Sequence, residues 1–185
     1  MPICISFPKK YYTNKNITLM KKTLYAMLVL ALAAVTFTSC SEDDDLSGSY
    51  TYYEPIMTWG ISEADVRSQM NKSGDWKEVT DRDAESEGIS FRNSKSKAEV
   101  NYHFDDEGKY ESFTVYYYGC NKDFGKMKND WAKAFNLKWE SKTIFGMTFD
   151  EAKSESVKCD FITMSGVESG IEYMYVTGMY EPFIW

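Results

Sequence analysis

The chain has 185 residues, 43% of them hydrophobic and 16% aromatic, with a formal net charge of −7. Residues 1–39 hold five Lys and no acid, so residues 40–185 carry 16 basic against 28 acidic side chains, a balance of −12. A surface this acidic repels phosphate backbones and anionic headgroups, which argues against a nucleic-acid partner and against docking on membranes by charge alone.

In chain order, residues 1–19 show no periodicity and read as an upstream extension. A signal segment, 20–39, begins naturally at Met20, with Lys21 and Lys22 ahead of the unbroken apolar run Leu24–Val35. That run has the length of a signal h-region and falls short of the roughly 20 apolar residues that a bilayer span needs. Thr38 and Ser39 then lead into Cys40. The order of Lys pair, apolar run, small residues and Cys resembles a bacterial lipoprotein signal with its lipobox, although Phe37 stands where that family usually has Leu. The resemblance implies cleavage before Cys40 and a lipid on its thiol, which would hold the protein to a membrane at about 0.8 kcal/mol per buried methylene. Ser41, Glu42, Asp43, Asp44 and Asp45 follow. They resemble the acidic tether of Bacteroidetes-type surface lipoproteins, which implies display on the outer face of the outer membrane. On physical grounds alone, 40–49 is a charged, solvated spacer that keeps a domain off a bilayer.

Residues 50–185 have the length of one domain with a real core. Ser62 is placed to cap a short helix, "SEADVRSQM", with Asp65 at the capping-box position and Val66 and Met70 on one side. Four strands are expected next: "WKEVTD", "GISFRN", "AEVNYHFDDEG" and "KYESFTVYYYG". "DDEG" reads as the turn of a hairpin, with Gly108 free to adopt positive φ. A second helix is expected in "DFGKMKNDWAKAFN", where Met127, Trp131, Ala134 and Phe135 share a stripe. Strands resume in "LKWES", "TIFGMTF", "SVKCDFITM" and "IEYMYVTGMY".

Helix, four strands, helix, four strands suggests a repeat of about 50–118 and 119–185. A shift of 65 residues sets Trp59-Gly60 on Phe124-Gly125, Asp65 on Asp130, Val66 on Trp131, Met70 on Phe135 and Tyr52-Tyr53 on Tyr117-Tyr118. "YEPIMTW", from Tyr53, returns as "YEPFIW", from Tyr180. The expected fold is therefore α+β: two tandem helix-plus-four-strand units, joined edge to edge, with both helices on one face of the antiparallel sheet. That segment order is similar to the tandem-repeat fold of β-lactamase-inhibitor-like proteins and, more loosely, to small outer-membrane assembly lipoproteins. It implies a sheet whose second face is concave and open.

Little chemistry is visible. His103 is the one histidine, on the strand face opposite Val100, Tyr102 and Phe104, and no nucleophile-elbow motif accompanies it. The acids of "TDRDAESEG" fail the calcium-loop pattern, with Ser86 and Arg92 where Gly and Glu are needed. No metal site, cofactor loop or catalytic residue is expected. After lipidation two cysteines remain, Cys120 and Cys159. An oxidising compartment permits a disulfide, while alternation puts Cys159 on the core face, where buried free thiols are common. The residues left over are aromatic. Tyr116, Tyr118, Tyr173, Tyr175 and His103 fall on the strand faces away from the helices, and tyrosines so placed suit contact with a protein or a glycan. The leading expectation is a non-enzymatic lipoprotein that binds a protein partner. A glycan-capturing accessory of polysaccharide uptake comes second and a hydrolase last.

Overall fold

The computed structural model describes residues 50–80, 88–93, 95–96, 98–144, 146–168 and 170–180. The signal segment, Cys40, the acidic run Ser41–Asp45 and "EPFIW" lie outside these residues.

Eight strands form one antiparallel sheet with two short helices, an α+β arrangement. The elements are α1 (Glu63–Asn71), β1 (Trp76–Glu78), β2 (Ile89–Asn93), β3 (Ala98–Phe104), β4 (Tyr110–Tyr118), α2 (Phe124–Phe135), β5 (Glu140–Ile144), β6 (Met147–Ser154), β7 (Cys159–Glu168) and β8 (Ile171–Tyr180). The order across the sheet is β1-β2-β3-β4-β8-β7-β6-β5. Two meanders therefore meet at the central pair β4–β8, where Val115 faces Val176 and Tyr116 faces Tyr175.

Local chemistry sets the first helix. The Ser62 hydroxyl accepts from the Asp65 amide at 3.2 Å, and the Asp65 carboxylate accepts from the Ser62 amide at 3.2 Å, which closes a capping box. α2 ends at Asn136, in the left-handed conformation with φ 53°. The turn of the β3–β4 hairpin is built as expected. Gly108 has φ 72°, and the Asp105 side chain accepts from the Glu107 and Lys109 amides.

A single apolar cluster holds these parts together. Val66 and Met70 from α1, and Met127, Trp131 and Phe135 from α2, join Val100, Tyr102, Phe113, Val115, Tyr117 and Phe161 from the strands. Trp131 is fully buried, stacked on Phe113 at 6.0 Å and tilted against Phe135 at 5.6 Å. Residues 50–60 cross this cluster from one end to the other. Tyr50 meets Tyr117 edge-on at 5.0 Å, the Ile56 carbonyl accepts from Tyr110 Oη, and Trp59 stacks on Tyr110 at 4.9 Å and on Tyr180 at 5.6 Å.

Two sequence expectations shift. Ala134 is exposed, so the buried stripe of α2 is the narrower Met127, Trp131, Phe135 set. "TIFGMTF" is not one strand: Ile144 pairs with Met147 across a turn at Gly146, whose φ is 81°. A glycine in the left-handed region reverses the chain where the apolar run suggested continuity.

Candidate functional site

The strand pairing fixes what shares the sheet face away from the apolar cluster. Opposed residues lie on the same face. Glu99, Tyr116 and Tyr175 therefore form one row, and Tyr118 and Tyr173 the next. Four of the sequence-derived candidates thus come together as a two-by-two array on the central strands. Tyr116 and Tyr118 are stacked 6.1 Å apart at 7°, Tyr173 and Tyr175 are stacked 6.3 Å apart at 11°, and Tyr116 meets Tyr175 at 5.7 Å.

The surroundings of the quartet are mixed, with Met164 paired to Tyr175 and Ile162 to Thr177 across β7–β8 beside polar groups. Arg92 Nη2 lies 3.0 Å from the Glu99 carboxylate, whose side chain is 4% exposed and sits beside Tyr116 across the β3–β4 pair. One row further on, Thr114 and Thr177 share a hydrogen bond of 3.0 Å. Tyr173 folds across β7. A Cβ placed on Gly166 would stand 2.7 Å from its hydroxyl oxygen, so glycine there makes room for the phenol. Alternation flags the tyrosines. The Glu99–Arg92 pair and Gly166 were missed, because their roles depend on the register of the β2–β3 and β7–β8 hairpins, which alternation does not set.

His103 lies on the same face but pairs with Ser112, four residues along β4 from Tyr116 and so roughly 13 Å away. It does not join the quartet.

The expectation of an open face is corrected. Tyr116, Tyr118 and Tyr175 are 7%, 9% and 4% exposed, and Tyr173 is half-buried. Mutual stacking removes ring faces from water. Burial pushes the Tyr175 hydroxyl far above the usual phenol range, with Tyr116 and Tyr173 adding to the effect, so it stays neutral and serves as both donor and acceptor.

The two remaining cysteines are buried free thiols. Burial raises Cys120 to about 11, and Cys159 further still, so neither is a thiolate near neutrality. Among the described residues no three His, Cys, Asp or Glu side chains gather into a metal-holding group, and no helix is long and apolar enough to cross a membrane. None of the protein-family models, curated proteins or solved structures compared with the chain matches it.

Proposed function

We propose that residues 40–185 are a non-enzymatic lipoprotein, anchored in the outer membrane by a lipid on Cys40 and displayed outward by the acidic tether Ser41–Asp45, that binds a protein partner through the tyrosine-bearing sheet face. The fold under this reading is two tandem helix-plus-four-strand units with both helices on the other side. Strand order supports the repeat, because each meander of four strands follows one helix and the two meet at β4–β8. So does the equivalence of Val66 and Trp131, both fully buried at a spacing of 65 residues. One matched pair argues the other way: Tyr52-Tyr53 precede α1 outside any strand, whereas Tyr117-Tyr118 end β4.

The observation that carries the function is the quartet itself. A fold whose apolar cluster lies on one face has no structural need for four clustered phenols on the other. Tyrosine supplies large contact area with a polar tip at little entropic cost, which is why it is enriched at protein interfaces. Three of the four rings are buried and Tyr173 is half-buried, so a partner meets Tyr173 first. The glycan reading draws on the two near-parallel ring pairs. Stacking the rings on each other, however, leaves little ring face for a sugar.

A photo-crosslinking amino acid at position 118, in the full chain on intact cells, tests the proposal. A discrete protein adduct, lost on Tyr116→Ala, is expected. No adduct, together with retention on polysaccharide that Tyr116→Ala abolishes, overturns the protein reading in favour of glycan.

A further inference from the structure

Strand direction gives the sheet two ends, and only one of them exposes large apolar side chains among the described residues. At one end lie the starts of β1, β3, β6 and β8 and the finishes of β2, β4, β5 and β7. The two large hydrophobic side chains that stand exposed among the described residues, Met147 at 42% and Val167 at 65%, are both here. Met147 pairs with Ile144 beside the β5–β6 turn, and Val167 lies one position from the end of the β7–β8 ladder, which Ile171 closes. Ile144 and Ile171 are themselves partly exposed. Two neighbouring hairpins therefore present apolar tips in the same direction. Apolar residues scattered singly over a surface need no explanation; two hairpin tips at one end of one sheet are a different pattern.

Charge does not follow the same axis. The connections at this end expose Lys72, Lys95 and Lys122, and Lys126 sits over the Tyr50 ring. The opposite end carries Asp105, Asp106 and Glu107 with Lys109 in the β3–β4 turn, and Glu155 with Lys158 in the β6–β7 turn. Exposed lysines and acids therefore occur at both ends, and Glu172 is exposed beside the tips, paired with Val167.

The N-terminal chain enters at this end too. Tyr50 packs on Tyr117, one residue from the finish of β4. Ten residues separate Cys40 from Tyr50 and span at most about 35 Å when extended.

We propose that the β5–β6 and β7–β8 hairpin tips, through Met147, Val167, Ile144 and Ile171, rest in the interfacial layer of the membrane that carries the Cys40 lipid. The inference rests on the lipid anchor of the proposed function. The anchor supplies membrane affinity and the tips supply orientation. Apolar side chains seat in the headgroup–acyl boundary. The sheet then stands on its end, and the tyrosine face looks sideways, clear of the bilayer.

Methyl NMR of the full, acylated chain tests this in nanodiscs of phosphatidylethanolamine and phosphatidylglycerol carrying a doxyl-labelled lipid. The Met147 and Val167 methyl signals lose intensity, while Val79 and Val157 at the other end do not. Met147→Asp with Val167→Asp removes the loss at Ile144 and Ile171 and leaves the protein on the disc. An acylated, disc-bound protein whose tip methyls are no more broadened than Val157 overturns the proposal. Mass spectrometry reads the anchor separately. If Cys40 carries no acyl chain, the lipoprotein reading fails by itself, and the same comparison on a chain held through an N-terminal histidine tag and a nickel-chelating lipid still decides the tips.

Discussion

The two faces of β4 are alternate residues of one nine-residue strand, yet they are buried by different means. Phe113, Val115 and Tyr117 point into the apolar cluster, where Trp131, Phe161 and Tyr50 interlock around them. Ser112, Thr114, Tyr116 and Tyr118 point the other way, into a layer of phenols, hydroxyls and the Glu99–Arg92 ion pair. Low exposure alone does not distinguish them, since Tyr175 is 4% exposed and Phe135 is 5%. Chemistry does. One face is a close-packed apolar cluster whose Tyr102 and Tyr110 hydroxyls are hydrogen-bonded within the protein. The other mixes a few apolar side chains, Met164 and Ile162 among them, with phenols, hydroxyls and an ion pair that water or a partner's polar surface can satisfy.

Deepest in the first face is Trp131. Its truncation to Ala removes a fully buried indole and costs about 3–5 kcal/mol, a large share of the roughly 5–15 kcal/mol available to a domain. Val66→Ala, at the matching place in α1, costs about 2 kcal/mol through lost methyl burial and a small cavity. Urea unfolding measures both, and equal costs, or a stable Trp131→Ala, would break the assignment of the core.

A sharper contrast uses two glycines. A Cβ on Gly178 would lie 2.4 Å from two ring carbons of Phe113 and 2.9 Å from Cys159 Sγ, in the apolar cluster. Nothing there has room to yield, and Gly178→Ala is expected to cost about 1–3 kcal/mol by overpacking. On the other face, Gly166→Ala meets only the outer end of the Tyr173 ring. That ring can swing, so the cost stays below about 1 kcal/mol, within the range of tolerated shape changes. Equal midpoint shifts in thermal unfolding would mean that the tyrosine face is as rigidly packed as the core.

The sequence made these faces legible to different depths. Period-two alternation separates Phe113, Val115 and Tyr117 from Tyr116 and Tyr118 without any structure, because side-chain direction along a strand is local. The capping box was legible for the same reason, since Ser62 and Asp65 are three residues apart. What alternation cannot convey is which strands are neighbours. Tyr116 meets Tyr175 only because β4 pairs with β8, a contact 59 residues apart in sequence, so the array and its burial were invisible. The β5–β6 boundary was lost because "TIFGMTF" is apolar on both sides of its turn, and Ala134 because a helical stripe narrows wherever no strand lies beneath it.

The claim that the two faces do different work is tested most directly by comparing Tyr116→Ala/Tyr118→Ala with Trp131→Ala in urea unfolding of the full chain. The double variant is expected to keep its circular dichroism and to lose less stability than Trp131→Ala alone, although it removes two rings rather than one. A double variant that unfolds, or that loses more than Trp131→Ala, would make the tyrosine face a second core and remove the basis for a binding surface there.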